Sequence, residues 1–421
     1  MHHHNHDYDH SAESTSAAAD IWRPPSFDEI REKTEKYVLG TYTRYPVAFY
    51  FGQGAILYDI NQKEYIDFLS GISVTNLGHG EANIIEAIRE QADRIIHSSN
   101  LYYNAEQAEF AEALISHSFA GKVFFSNSGT EANEAALKLM RRHGQLHKSG
   151  AETIIATEHS FHGRTAGSMS LTGNAKVRTG FGNLVPNVEH IPIDVLSLER
   201  VFDRSGGEIC GMIFELVQGE GGVNPLPEDF VHRARELCNE HNAVLVIDEI
   251  QTGLGRTGKL FAYEHYGILP DALTLAKSLG GGLPLGALII SEKHASTLEA
   301  GMHGSTFGGN HLACKVGYEV LRYLVGQDVI ENVNSLSEYF FQRLNIMAEK
   351  IAAVQDVRGI GLMIGIELDR PVRDLVIKCL DKGLVVNATA ETVIRLLPPL
   401  TLDLETAERG LDILESVLKE L

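Results

Sequence analysis

The chain has 421 residues, 44% of them hydrophobic and 22% charged, a balance that suits a globular protein with a large core in two or three units. A formal net charge of -20 excludes a nucleic-acid-binding face, which needs clustered cations, and no apolar run reaches the roughly 18 residues that span a bilayer. The four cysteines, Cys210, Cys238, Cys314 and Cys379, form no CxxC pair, which predicts a reducing, cytoplasmic setting with neither a disulfide framework nor a metal site.

The opening MHHHNHDYDH reads as an expression tag and residues 11–19, SAESTSAAA, as a disordered linker, so residues 1–26 are set aside as a leader. No apolar signal core follows, and export is not expected. A charged amphipathic helix is predicted over residues 27–39. Then AFYFGQGAILYDINQKEYIDF alternates apolar and polar residues between turn signals, as a small antiparallel meander does. Beyond residue 80 helices alternate with short apolar strands: KVFFS, TIIAT, CGMIFE, AVLVID and ALTLA. Buried parallel strands have this composition, and the alternation predicts a doubly wound α/β domain over residues 80–312. Two helical stretches follow from about residue 313, and the part from Val357 to Leu421 mixes strands and helices, with a closing helix from near Thr406.

Each of the five strands runs, at its carboxyl end, into residues able to do chemistry: NSGTEANE, EHSFHGR, LVQGEGG, EIQ, and Lys277 with the glycines at 280–282. Open α/β sheets bind ligands beyond the carboxyl ends of their strands, so these junctions share one crevice. Ser128, Gly129 and Thr130 open a helix whose free N–H groups suit an anion, although an ordinary N-cap reads equally well. Asp248 could be a metal ligand, an ion-pair partner, or the carboxylate beside a cationic ring nitrogen, where it would shift that nitrogen by about 1–3 pKa units toward protonation. A lysine nucleophile has to shed a proton from an ordinary pKa of about 10.4, which burial or imine formation accomplishes. Together these parts describe a pyridoxal 5'-phosphate site. GLGRTG at 253–258, with Lys259, nearly forms a phosphate-binding P-loop, but Leu260 stands where the magnesium-binding hydroxyl is needed, and nucleotide binding is not expected.

The stretches FFSNSGTEANEAALKL, FHGRT, VQGEGG, DEIQTGLGRTGKLFAYEH, LAKSLGGG, HGSTFGGN and VRGIGLMIGIEL, in this order, resemble the class III pyridoxal-phosphate aminotransferases of the ornithine and acetylornithine type, nearest to the acetylornithine members. The resemblance implies fold type I: a large α/β domain with a mostly parallel seven-stranded sheet, and a small α/β domain built from residues 27–79 and 313–421. It also implies a homodimer with shared active sites. It assigns Lys277 to the Schiff base, Asp248 to the pyridine nitrogen and Gln251 to the ring hydroxyl. Phe161 and Ile250 would flank the ring, with His162 beside it. Ser128, Gly129 and Thr130 would hold the phosphate, joined by Thr306 of the neighbouring subunit.

For substrates, the resemblance gives Arg164 a carboxylate remote from the reacting amine and Arg395 the α-carboxylate of glutamate or 2-oxoglutarate, a task that suits an arginine fork. Glu220 would pair with Arg395 and swing aside when glutamate binds. Tyr42 and Ser305 would contact substrate, and Ile72 stands where ornithine δ-aminotransferases carry tyrosine, which favours an acylated donor. Leu216 departs from the proline usual in the family. The expected reaction moves the δ-amino group of N2-acetylornithine to 2-oxoglutarate, in arginine biosynthesis. Succinylornithine, ornithine, 4-aminobutyrate, acetyl-lysine and succinyldiaminopimelate are alternative donors. A mutase, a decarboxylase and a silent binding module are the other classes.

Overall fold

The computed structural model describes residues 25–421. The tag and linker expectations for the start of the chain lie outside these residues. The first helix, Phe27–Tyr37, begins with a reciprocal cap: Ser26 Oγ accepts from the Glu29 N–H while the Glu29 carboxylate accepts from the Ser26 N–H at 2.7 Å. It buries none of its own residues. Strands β1 (Phe49–Gln53), β2 (Ile56–Asp59) and β3 (Glu64–Asp67) form the antiparallel meander that the alternation predicts.

Next come β4 (Gly121–Ser126), β5 (Thr153–Thr157), β6 (Val188–Ile191) and β7 (Ile209–Phe214). Between β7 and β10 (Val244–Asp248) lies a two-residue ladder of β8 (Val217–Gln218) and β9 (Asn224–Pro225), which closes the loop carrying Glu220. After β10 come β11 (Ala272–Leu275) and β12 (Gly286–Ser291). The central sheet has the order β4-β12-β11-β10-β7-β5-β6 and is parallel except for β12, which runs antiparallel to both neighbours. Every residue of β7, β10 and β11 is buried, because helices cover both faces. The five strands predicted from composition all lie in this sheet, with β6 and β12 in addition.

Helices His311–Gly326 and Val329–Lys350 follow, matching the two predicted helical stretches. Strands β13 (Val354–Ile360), β14 (Met363–Leu368), β16 (Asn387–Thr389) and β17 (Val393–Leu396) form an antiparallel sheet, and β15 (Leu384–Val385) instead pairs in parallel with β3. Both ends of the chain therefore share one sheet. The closing helix spans Leu404–Leu418, capped by Asp403. All four cysteines are buried and unpaired, and no described helix is long and apolar enough to cross a membrane.

Candidate active site

A cleft of about 430 Å³ opens at the carboxyl ends of the central strands. Ser128, Gly129, Thr130, Phe161, His162, Arg164, Glu220, Asp248, Ile250, Gln251 and Lys277 all line it. They lie at or beyond the carboxyl ends of β4, β5, β7, β10 and β11, brought together because parallel strands point their carboxyl ends the same way.

At the floor, Asp248 is 3% exposed. Its Oδ2 lies 2.7 Å from His162 Nδ1 and accepts from Asn133 Nδ2 at 2.8 Å, while Oδ1 accepts from the Ile250 N–H at 3.0 Å. The carboxylate is thus fixed in orientation on the cleft wall, with a single partner on Oδ1. Asn133 sits one turn into the helix Gly129–His147, on its buried face, and also donates to the His162 carbonyl at 2.8 Å.

Lys277 lies one residue beyond the end of β11, after Ala276, and holds a left-handed backbone, φ +48°, a conformation that costs a non-glycine residue about 1–2 kcal/mol. Burial depresses its pKa to about 8, although the Glu220 carboxylate pulls the other way. A substantial fraction of this amine is neutral near physiological pH, as a nucleophile or base requires.

The helix Gly129–His147 points its N-terminus into the cleft, capped by Ser128, whose Oγ accepts from the Glu131 N–H at 3.3 Å. A Cβ on Gly129 would come within 2.6 Å of Ile250 Cδ1, so a side chain here would displace Ile250. The Thr130 hydroxyl is engaged away from the helix terminus, 2.5 Å from Ser168 Oγ and accepting from the Arg164 N–H at 3.1 Å. Its backbone N–H is the group left for an anion.

Arg164 lines the upper wall, and Arg395 lies buried behind Glu220 and Gln251, which line the cleft. Arg164 forms no ion pair among the described residues, and its guanidinium carbon lies 5.5 Å from the centre of the Phe161 ring. Arg395, on β17, is fully buried. Its Nη1 donates to Glu220 Oε1 at 2.7 Å and to Gln251 Oε1 at 3.1 Å, its Nε donates to Asn387 Oδ1 at 3.2 Å, and Nη2 is buried without a partner. Burial works against ionisation of Glu220, but Arg395 and then Lys277 outweigh it and hold its pKa below the ordinary value. Leu216 is fully buried, its carbonyl accepts from the Leu226 N–H at 2.9 Å, and the loop still delivers Glu220 to Arg395.

Four further residues singled out in the sequence do not line the cleft. Tyr42 is 74% exposed beside the first helix, and Thr306 is exposed outside the cleft. The Ser305 hydroxyl accepts from Asn127 Nδ2 at 3.1 Å, at the cleft rim. Ile72 packs with the small cluster around Met363 and Leu397, at φ +67°.

Sequence reasoning passed over Asn133, Asn387 and Glu215. Glu215 lines the cleft, and its two oxygens accept from the N–H groups of Phe161 (2.9 Å) and Gly219 (3.1 Å), with burial raising its pKa to about 7. The one available signal was a lone acid at the end of the otherwise apolar CGMIFE.

The residues fit pyridoxal phosphate: a helix N-terminus opened by a glycine packed against Ile250, an oriented carboxylate with spare accepting capacity, and a lysine of depressed pKa share one cleft.

The family model described as aminotransferase class-III matches residues 41–418. An acetylornithine aminotransferase of Caldanaerobacter subterraneus subsp. tengcongensis is 42% identical over 389 residues, covering 92% of this chain and 98% of the relative. That of Aquifex aeolicus is 44% identical over 384 residues, covering 91% and 100%. Among solved structures, the ornithine aminotransferase from Toxoplasma gondii ME49 superposes with a TM-score of 0.91 at 31% identity, covering 94% of this chain and 96% of that one. The acetylornithine aminotransferase from Elizabethkingia anophelis gives 0.85 at 32% identity, covering 94% and 100%. With this extent of similarity added to the geometry of the cleft, the chain belongs to the class III aminotransferases, pyridoxal-phosphate-dependent transaminases of fold type I.

Proposed function

We propose that this enzyme transfers the δ-amino group of N2-acetylornithine to 2-oxoglutarate, giving N-acetylglutamate 5-semialdehyde and glutamate. The observation that carries this reading is one arginine on the cleft wall, Arg164, without an acidic partner among the described residues, and a second, Arg395, buried directly behind Glu220, which lines the cleft and covers it. Arg164 takes the carboxylate of the acylated donor, remote from the reacting amine. During that half-reaction Glu220 stays on Arg395, since an uncompensated buried cation is costly. In the second half-reaction the α-carboxylate of 2-oxoglutarate or glutamate replaces Glu220 on Arg395.

Pyridoxal phosphate, when bound, supplies the electrophile that withdraws an electron pair from the reacting carbon and stores the amino group between half-reactions. The protein's residues do the rest. Lys277 Nζ would hold the cofactor and, once free, would take up and return a proton, for which an amine pKa of about 8 is suited. Asp248, held by His162, Asn133 and the Ile250 N–H, keeps the proton on the ring nitrogen. The helix N-terminus at Ser128, Gly129 and Thr130 neutralises the phosphate through backbone N–H groups. Phe161 and Ile250, which line the cleft, would flank the ring, and Gln251 would reach its hydroxyl.

The working unit in this reading is a homodimer in the cytoplasm, serving arginine biosynthesis. It divides into a large domain over residues 80–312 and a small domain from 27–79 and 313–421. Support for the dimer comes from Tyr42, Tyr102, Tyr103 and Phe307, aromatic residues more than half exposed, and from the exposure of Thr306. A second subunit would cover them and bring Thr306 to the phosphate of its neighbour.

The test is an initial-rate panel with 2-oxoglutarate as acceptor and N2-acetylornithine, succinylornithine, ornithine, 4-aminobutyrate, acetyl-lysine and succinyldiaminopimelate as donors. The highest kcat/KM should fall to N2-acetylornithine; a preference for free ornithine would overturn the assignment.

A further inference from the structure

A second cavity, of about 880 Å³, lies behind the wall of the cleft, and Glu220 is the one residue that lines both. The backbone around Glu220 is held in place. The Gly219 N–H donates to Glu215 at 3.1 Å, the Glu220 carbonyl accepts from Thr389 Oγ1 at 2.8 Å, and the Gly222 carbonyl accepts from Arg358 Nη2 at 2.7 Å. Gly222 has φ +111°, which a side-chain-bearing residue would not adopt without strain. Release of Arg395 is therefore a rotation of the Glu220 side chain and not a movement of its loop.

Two destinations exist for the displaced carboxylate. Within the catalytic cleft it would meet the incoming dicarboxylate and the acids Glu215 and Asp248, while the two cations that line the cleft, Arg164 and Lys277, are engaged by substrate and cofactor in this reading, so that route is unfavourable. The outer cavity offers Lys176, Arg178 and Arg358 beside the acids Glu158, Glu367 and Glu391. Lys176 is paired with Glu391, and Arg358 with Asp356 and Glu367. Arg178 forms no ion pair among the described residues. Its Nε is buried without a partner, and its nearest acceptors are long, 3.4 Å to His190 Nδ1 and 3.5 Å to the Gly173 carbonyl. Buried donors left unmatched are rare in native proteins and call for a partner.

We propose that Glu220, when a substrate carboxylate takes its place on Arg395, swings outward into this second cavity, where Arg178 supplies the counter-charge that stabilises the open position. Arg178 is thereby a positioning residue for the dicarboxylate half-reaction alone. The inference rests on the gate role of Glu220 and adds where the gate opens and what holds it there.

The test uses spectrophotometric titration of the holoenzyme with glutamate and, separately, with N2-acetylornithine. Arg178→Met should weaken glutamate about tenfold, a coupling within the usual range between linked sites, and leave the donor nearly unchanged. In a Glu220→Ala background the same substitution should have no effect on glutamate. Equal weakening of both ligands, or an effect that persists without Glu220, would overturn the proposal. If Glu220→Ala itself leaves the glutamate affinity at the wild-type value, the gate reading falls and this inference with it. A crystal structure of the wild-type holoenzyme with glutamate bound gives an answer even if Arg178→Met misfolds. The Glu220 carboxylate is expected in the outer cavity, and a carboxylate turned back into the cleft would contradict it.

Discussion

Replacement of Glu220 by alanine tests the selectivity device most sharply. The Glu220 carboxylate sits 2.7 Å from Arg395 Nη1; Arg395 is fully buried, and the glutamate side chain is 34% exposed. With charge centres about 4 Å apart and an effective dielectric constant of about 20, the attraction is on the order of 4 kcal/mol. A substrate carboxylate regains most of this on arrival, and Glu220 regains hydration as it leaves. The residual cost that the gate imposes on dicarboxylates is therefore smaller, about 1–3 kcal/mol, or roughly 5–150-fold in affinity. Glu220→Ala should tighten glutamate by that factor and weaken discrimination in favour of the acylated donor. The free enzyme should become less stable, since breaking a buried pair costs up to about 3–5 kcal/mol, softened here by Asn387 and Gln251. Affinities come from titrating the visible spectrum of the holoenzyme, and stability from thermal unfolding. Glutamate affinity equal to or below wild type, in a folded variant, would refute the reasoning.

Two further outcomes follow from the cleft. Asp248→Asn presents an amide that cannot hold a proton on the ring nitrogen by charge; a loss of about 1–3 pKa units there lowers turnover about 10–1000-fold, with circular dichroism unchanged. Near wild-type turnover would remove Asp248 from its role. In the cofactor-free protein, Lys277 should react with trace acetic anhydride with a midpoint near pH 8, read from its peptide by mass spectrometry. The depressed pKa means that reactivity is present above this pH and lost as the amine protonates below it, whereas an ordinary lysine midpoint of about 10.4 would show that burial does not tune the group.

Much of this site was legible because the chemistry follows the strands. The runs rich in Val, Ile, Leu and Phe are β4, β5, β7, β10 and β11, and the residues just after them line the cleft. Strand β6, VEHI, carries Glu189 and His190 at the sheet edge, so its composition gives no signal of a buried strand. Strand β12, GALIIS, is fully apolar up to Ser291, but it runs antiparallel and carries no chemistry at its end. The long-range partners were not legible. Asn133 and Glu215 act through residues far away in sequence, Asp248 and Phe161, and Asn387 reaches Arg395 only through the pairing of β16 with β17, so no local pattern announces that an amide faces Asp248 or Arg395.

The GLGRTG segment shows the same limit. No nucleotide loop forms there; Leu254, Gly255 and Gly258 take positive φ and turn Arg256 inward. That guanidinium is fully buried, donating to Ser73 Oγ (3.1 Å), the Leu362 carbonyl (3.0 Å), the Pro398 carbonyl (2.6 Å) and Asn76 Oδ1 (2.5 Å). It ties the turn after β10 to both ends of the chain. Burial pushes its pKa down to about 9, as expected of a cation held only by neutral acceptors.

The most direct test of the whole account is borohydride reduction of the holoenzyme followed by peptide mapping. A pyridoxyl group should be found on Lys277 alone, and Lys277→Ala should carry none and lose turnover. A modification on any other lysine, or none after full loading with the cofactor, would contradict it.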